Sequence, residues 1–180
     1  MHRFPRVPRF PVRMILLVTC LVCFSAAARA QTGVYVTFNA SDFQTHNVGE
    51  RYGPAFGIYH DMWHAPFLRA GVDVRAMLLG GGSTEAYSGL FGPTLQLHPH
   101  VVPLKPYVEG LIGAGHVNAG RGVATIDTTA FAYAGVIGLD WTILPRVDWR
   151  VIEFSAEGFS NLNGNVSPKT WGTGLVLRIP

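Results

Sequence analysis

The sequence predicts an all-β fold: a closed, eight-stranded antiparallel up-and-down transmembrane barrel over residues 31–180, preceded by a cleavable signal peptide over residues 1–30. Three observations predict it. The stretch Phe67–Leu79, FLRAGVDVRAMLL, alternates: Leu68, Ala70, Val72, Val74, Ala76 and Leu78 fall on one face, and Arg69, Gly71, Asp73 and Arg75 on the other. Side chains on a strand point to opposite faces with period two, so this is one strand with an apolar and a charged face. Strand and turn then recur at a spacing that gives eight strands, with no stretch keeping helical periodicity for three turns. The connections, finally, alternate between long polar segments and short turns.

The first thirty residues differ in kind from the rest. Arg3, Arg6, Arg9 and Arg13 precede an apolar run from Met14 to Phe24, and Ala28 and Ala30 stand at −3 and −1 of a cleavage before Gln31. That is the layout of a secretory signal peptide, and the run is shorter than the about 20 residues of a membrane helix. Removing it takes five of the fourteen basic residues and none of the eleven acidic ones, leaving nine against eleven, a net charge of −2. The basic balance of the whole chain therefore carries no case for nucleic acid. Cys20 and Cys23 leave with the signal, so the exported chain has no disulfide to lean on.

Val34–Ala40 sets Val34, Val36, Phe38 and Ala40 against Tyr35, Thr37 and Asn39, and Ser41–Arg51 reads as loop. Tyr52–His60 sets Phe56 and Ile58 against Ala55, Gly57 and Tyr59, and Asp61–Pro66 turns the chain into the charged strand. Gly80–Glu85 breaks it. Tyr87–His98 opposes Phe91, Pro93, Leu95 and Leu97 to Gly92, Thr94, Gln96 and His98, and Pro99–Leu104 is a compact turn. In Lys105–His116, Val108, Ile112 and Ala114 oppose Tyr107, Glu109 and Leu111, and Val117–Asp127 reads as a glycine-rich loop. Thr128–Thr142 opposes Phe131, Tyr133, Ile137, Leu139 and Trp141 to Ala132, Ala134, Gly138 and Asp140, ahead of a turn at Ile143–Arg146. Val147–Ala156 opposes Val147, Trp149 and Val151 to Asp148 and Arg150, but Glu153 then falls on the apolar side, which places a bulge near Ile152. Lys169–Ile179 follows a polar connection and opposes Trp171, Leu175, Leu177 and Ile179 to Gly172, Gly174, Val176 and Arg178.

Long connections at 41–51, 80–86, 117–127 and 157–168, alternating with short ones at 61–66, 99–104 and 143–146, match a barrel in a bacterial outer membrane with both termini in the periplasm. Trp63, Trp141 and Trp149 fall near the short-turn ends, and Tyr52, Tyr87, Phe131 and Trp171 near the long-loop ends, as two aromatic belts would. In lipid an open sheet edge leaves backbone groups unpaired, so the first and last strands are expected to pair. The inward set is then Arg69, Asp73, Arg75, Glu109, Asp140, Asp148, Arg150 and Arg178, four basic and four acidic, with Tyr35, Tyr59, Tyr107 and Gln96. Eight strands enclose a lumen that side chains can fill, and buried charges persist only when paired, so the expectation is an ion-paired plug and no wide pore.

The segments Pro106–Gly110 through Gly115, Ala134–Trp141 and Asp148–Trp149–Arg150 make the chain resemble the small outer-membrane β-barrel family, in the plan of the OmpA-like and OmpX-like barrel domains. The resemblance implies a non-enzymatic envelope protein in contact with outer-membrane lipid and lipopolysaccharide, inserted by the barrel-assembly machinery. Members often end in an aromatic residue, where this chain reads Leu177–Arg178–Ile179–Pro180. One relative of this architecture, the outer-membrane lipid A deacylases, carries His, one intervening residue and Ser-Asn. Here Phe159–Ser160–Asn161 keeps the serine and asparagine, but Gly158 takes the histidine's place, and a serine without a base is a poor nucleophile. His60–Asp61 with His64, and His98 with His100, read as turn chemistry, and Gly80–Gly81–Gly82 lacks the lysine and helix of a phosphate loop. No cofactor or metal is expected, and what the loops bind is left open. The rival readings are a secreted soluble lipocalin-like barrel holding an apolar ligand, with the faces reversed, and a degenerate deacylase.

Overall fold

The computed structural model describes residues 31–42, 50–81, 84–99, 101–121, 124–160 and 167–179; the expected signal peptide lies outside them. Eight strands follow in chain order: β1 (Thr32–Asp42), β2 (Arg51–His64), β3 (Leu68–Gly81), β4 (Thr84–Leu97), β5 (Leu104–Arg121), β6 (Ala124–Leu144), β7 (Val147–Ser160) and β8 (Lys169–Ile179). Each pairs antiparallel with its sequence neighbours, and β1 closes on β8, so the sheet is a barrel without a free edge around its waist. Tyr35, for example, stands between Gly57 of β2 and Val176 of β8.

The alternation sets the phase. On β3, Val72 and Val74 face outward, 43% and 52% exposed, while Asp73 is fully buried and Arg75 nearly so. The other strands agree: Val36, Phe38, Phe91, Ile112, Ile137 and Leu175 lie outside, and Tyr35, Gln96, Glu109, Asp140 and Val176 inside. This is the reverse of the phase that a soluble barrel with an apolar interior requires. The strand that begins at Leu104 has the phase read from its sequence, with Val108 outside and Tyr107, Glu109 and Leu111 inside.

Several boundaries differ from expectation, among them the end of β7, which runs on through Glu157 to Ser160 where a connection is expected. Asp61–His64 continues β2 instead of turning, with a register shift between Asp61 and Trp63, and the turn contracts to residues 65–67. Gly80 and Gly81 stay in β3, paired to Glu85 and Thr84, so the glycines do not break the strand. Most of the expected loop 117–127 is also strand: β5 and β6 run on to the Arg121–Ala124 pair and reach 18 and 21 residues. In both hairpins the backbone pairing of two adjacent strands outweighs the low strand propensity of glycine.

Glycines also make room for the inward tyrosines. A Cβ at Gly57 would stand 2.1 Å from the Tyr35 ring, at Gly33 2.3 Å from Tyr59, and at Gly138 2.3 Å from Tyr107. The hydroxyl end of each ring thus reaches over a cross-strand glycine.

The expected bulge is present. Against β6, Leu139 pairs with Ile152 and Asp140 with Arg150; against β8, Arg150 pairs with Gly174 and Glu153 with Gly172. One extra residue between Arg150 and Glu153 keeps both inside. Thr173 on β8 bridges the gap, its hydroxyl donating to the Arg150 carbonyl at 2.9 Å and accepting from the Trp149 indole at 3.1 Å. Deleting Ile152 should therefore leave a folded barrel that migrates faster unheated than boiled, because it restores even pairing and keeps Glu153 inward. Deleting Ala156 should abolish that fast form, because it turns Glu157 and Phe159 outward.

Candidate functional site: the charged lumen

The centre of the barrel is built on two guanidiniums. Arg75, from β3, donates its Nη1 and Nη2 to the two oxygens of Glu153 at 2.7 and 3.0 Å, Nη2 also to Glu109 at 2.9 Å, and Nε to the Tyr35 hydroxyl at 2.9 Å. Tyr35 in turn donates to Asp73 at 2.9 Å. Arg150, from β7, grips Asp140 through Nε and Nη2 at 3.0 and 3.3 Å and reaches Glu153 through Nη1 at 2.8 Å. Its guanidinium lies between the rings of Tyr35 and Tyr107, 4.3 and 4.4 Å from their centroids, so both faces of the cation meet aromatic π density. Tyr107 completes the set by donating to Glu153 at 2.6 Å, and Gln96 reaches Asp140 at 3.4 Å.

A second group occupies the short-turn end. Asp148 accepts from Lys105 at 2.8 Å and Arg178 at 3.0 Å, and Arg69 donates to Asp61 at 3.3 Å and to the Gln31 side chain. His98 directly follows β4, and its two ring nitrogens are buried with no hydrogen-bond partner among the described residues. Burial, helped by the Arg69, Lys105 and Arg178 cations, pulls its imidazole down from about 6.5 to about 3. Toward the other end the lumen turns apolar on one side, with Ala55, Met77, Leu79 and Ala86 in one cluster and Leu90, Leu111, Ala132, Ala134 and Val136 under Phe159 in another. Thr37, Asn39, Ser41, Ser155 and Thr170 line the β1, β7 and β8 wall there.

Of the eight charges assigned inward from the sequence, Asp73, Arg75, Glu109, Asp140 and Arg150 meet in the central cluster. Asp148 and Arg178 meet at the short-turn end, where Arg69, 24% exposed, pairs separately with Asp61. Four further inward charges were missed. Glu153, the hub that both arginines share, is inward because of the bulge that its own misfit announced. Lys105 has the parity of Tyr107 and Glu109, Asp61 that of Tyr59, and Glu157 follows Glu153 and Ser155; the first was passed over and the other two lay beyond the strand ends as read. The balance of four and four becomes Arg69, Arg75, Lys105, Arg150 and Arg178 against Asp61, Asp73, Glu109, Asp140, Asp148, Glu153 and Glu157. Arg51 stands at the opposite rim, donating to the Glu50 carbonyl.

The seven aromatics expected to form belts all lie on the outer face, between 42% and 54% exposed. Trp63, Trp141 and Trp149 stand toward the short turns, Trp141 and Trp149 as cross-strand partners. Tyr52, Tyr87, Phe131 and Trp171 stand toward the other end, where Tyr52 bonds Glu50 and Tyr87 bonds Glu85 at 2.6 Å. Gly158 stands in the place of the deacylase histidine; a Cβ there would stand 2.3 Å from the end of the exposed Tyr133 ring, which would have to move aside.

These features define a closed eight-stranded barrel with an apolar outside and an ion-paired interior. Solved structures share that fold. Neisserial surface protein A superposes with a TM-score of 0.55 at 14% identity, covering 83% of this chain and 96% of that one. Ail, the attachment invasion locus protein of Yersinia pestis, gives 0.52 at 17%, covering 83% and 97%. The outer membrane enzyme PagL gives 0.50 at 16%, covering 81% and 98%. At these identities the likeness is one of fold. No protein family and no curated protein matches the sequence.

Removing one partner of a buried ion pair leaves the other charge uncompensated, at about 3–5 kcal/mol. Arg150→Met should destabilise the detergent-folded barrel by about that much in urea unfolding, because it removes the cation paired with Asp140 and leaves Arg75 as the cation paired with Glu153. His98 gives a pH dependence of known sign. Its folded value lies below its unfolded one, so the unfolded chain takes up the proton first, and stability is lost as pH falls from about 6.5 toward about 3. His98→Gln should remove that component, read as a flatter dependence of the unfolding midpoint on pH.

Proposed function

We propose that the chain is a bacterial outer-membrane barrel with a sealed lumen and no catalytic centre, a structural protein that meets its partners at the end away from the short turns. The observation that carries this reading is the inverted polarity: aliphatic and aromatic side chains cover the outside, and paired carboxylates, guanidiniums and an ammonium fill the inside. Only lipid makes that outside favourable, since water would leave a whole apolar surface exposed. On this reading residues 1–30 direct export, the termini are periplasmic, the Trp and Tyr rings hold the two interfaces, and lipopolysaccharide and the barrel-assembly machinery are the envelope partners.

The sealed lumen is supported by Arg75 and Arg150, which tie β1, β3, β5, β6 and β7 to one another across the interior. A surface role is supported by the β5–β6 hairpin. Its pairing continues to Arg121–Ala124, well past Phe131–Ser160, the last described pair between β6 and β7. Against catalysis stands the deacylase motif itself: glycine occupies position 158, so Ser160 has no histidine base there.

The reading is tested by extracting the mature chain and reconstituting it. It should require detergent, run faster unheated than boiled, and give no steady conductance in planar bilayers. A monomer stable in plain buffer overturns the membrane assignment, a permanent ohmic pore overturns the sealed lumen, and fatty-acid release from lipid A that Ser160→Ala abolishes overturns the absence of catalysis.

A further inference from the structure

The central cluster is unbalanced. Arg75 and Arg150 supply two positive charges, while Asp73, Glu109, Asp140 and Glu153 supply four negative ones, all at most 7% exposed. One oxygen of Asp73 is buried with no hydrogen-bond partner among the described residues. Beside the cluster, toward the short-turn end, lies a cavity of about 10 Å³. That is about the volume that a single water or an ion of similar size occupies.

Two carboxylates, Asp61 and Glu109, and two guanidiniums, Arg69 and Arg150, border the cavity. Arg150 spends Nε, Nη1 and Nη2 on carboxylates, and Arg69 bonds Asp61 and Gln31. Oxygens remain. The Tyr59 and Thr94 hydroxyls have no hydrogen-bond partner among the described residues. Glu109 gives one oxygen to Arg75 and keeps the other, and Gln96 turns its amide nitrogen to Asp140 and keeps its carbonyl oxygen. All four residues line the cavity, and each is more than nine-tenths buried.

We propose that this cavity is a binding site for one alkali-metal cation, held by the Tyr59 and Thr94 hydroxyls, the Gln96 carbonyl and the free oxygen of Glu109. A set of oxygens with no nitrogen or sulfur, in a wall whose second carboxylate, Asp61, is already paired with Arg69, suits a hard, singly charged ion. A transition metal prefers imidazole or thiolate, and calcium takes six to eight oxygens, usually with more carboxylates. The ion offsets one of the two uncompensated charges where they are concentrated. A water fits the same volume, donating to Glu109 and Gln96, but leaves the charge as it is. The inference stands on the lumen geometry and holds whatever the protein's role at the surface.

The test is thermal unfolding of the detergent-folded protein, refolded in potassium chloride, sodium chloride or choline chloride at equal ionic strength. A ligand that binds the folded state alone raises its stability. At least one alkali chloride should raise the midpoint over choline chloride by several degrees and saturate with concentration. Thr94→Val and Tyr59→Phe, which change no charge, should lose that rise. Equal midpoints in all three salts, the result for a water or for a proton on Glu109, overturn the proposal, as does a rise that both variants retain. Should neither variant fold, wild-type crystals soaked in thallous acetate should show an anomalous peak between Tyr59, Thr94, Gln96 and Glu109, and its absence overturns the site.

Discussion

Two arginines sharing one carboxylate hold the middle of this barrel, and most of the architecture follows from the need to bury them. Glu153 accepts from Arg75, Arg150 and Tyr107, and so joins β3, β5 and β7, elements far apart in sequence. A guanidinium taken out of water is tolerated only where its donors find acceptors in good geometry. A shift of one strand by a single residue would send its whole inward set to the other face. The network therefore acts as a register lock: the pairing of eight strands and the pairing of the charges are satisfied together or fail together.

The same requirement explains the places of the small residues. Tyr35 and Tyr107 enclose the Arg150 guanidinium, and each ring lies over a glycine, Gly57 and Gly138, on a neighbouring strand. A side chain at either glycine would push the tyrosine into the space of the cation. The bulge in β7 belongs to this arrangement as well, because it brings Arg150 and Glu153 to the same side from positions three apart. Without disulfides in the described chain, stability rests on the continuous ladder of backbone hydrogen bonds and on this interior. The apolar exterior contributes only in a solvent that matches it.

Much of this was legible from the residues. Leu68 to Leu78 alternating with Arg69, Asp73 and Arg75 defines a strand and its two faces without reference to any other part of the chain. Repeating that reading gives eight strands and places Asp140, Asp148 and Arg150 inside. The misfit of Glu153 even announced the bulge. Less legible was the extent of the strands. Gly80–Gly81 and the 117–127 stretch have loop composition, and only pairing with the partner strand makes Gly80, Gly81 and residues 117–121 and 124–127 strand. Asp61 and Glu157 escaped for that reason, since a residue read as turn has no face.

The period of two thus determined, from the sequence alone, which side chains share a face, because that property is local to each strand. The tertiary structure decided which face is inside, which charges meet, and that two cations stand among four acids at the centre. Those are properties of closure: the distance from Arg75 to Glu153 exists only once β1 has found β8, and no local pattern encodes it.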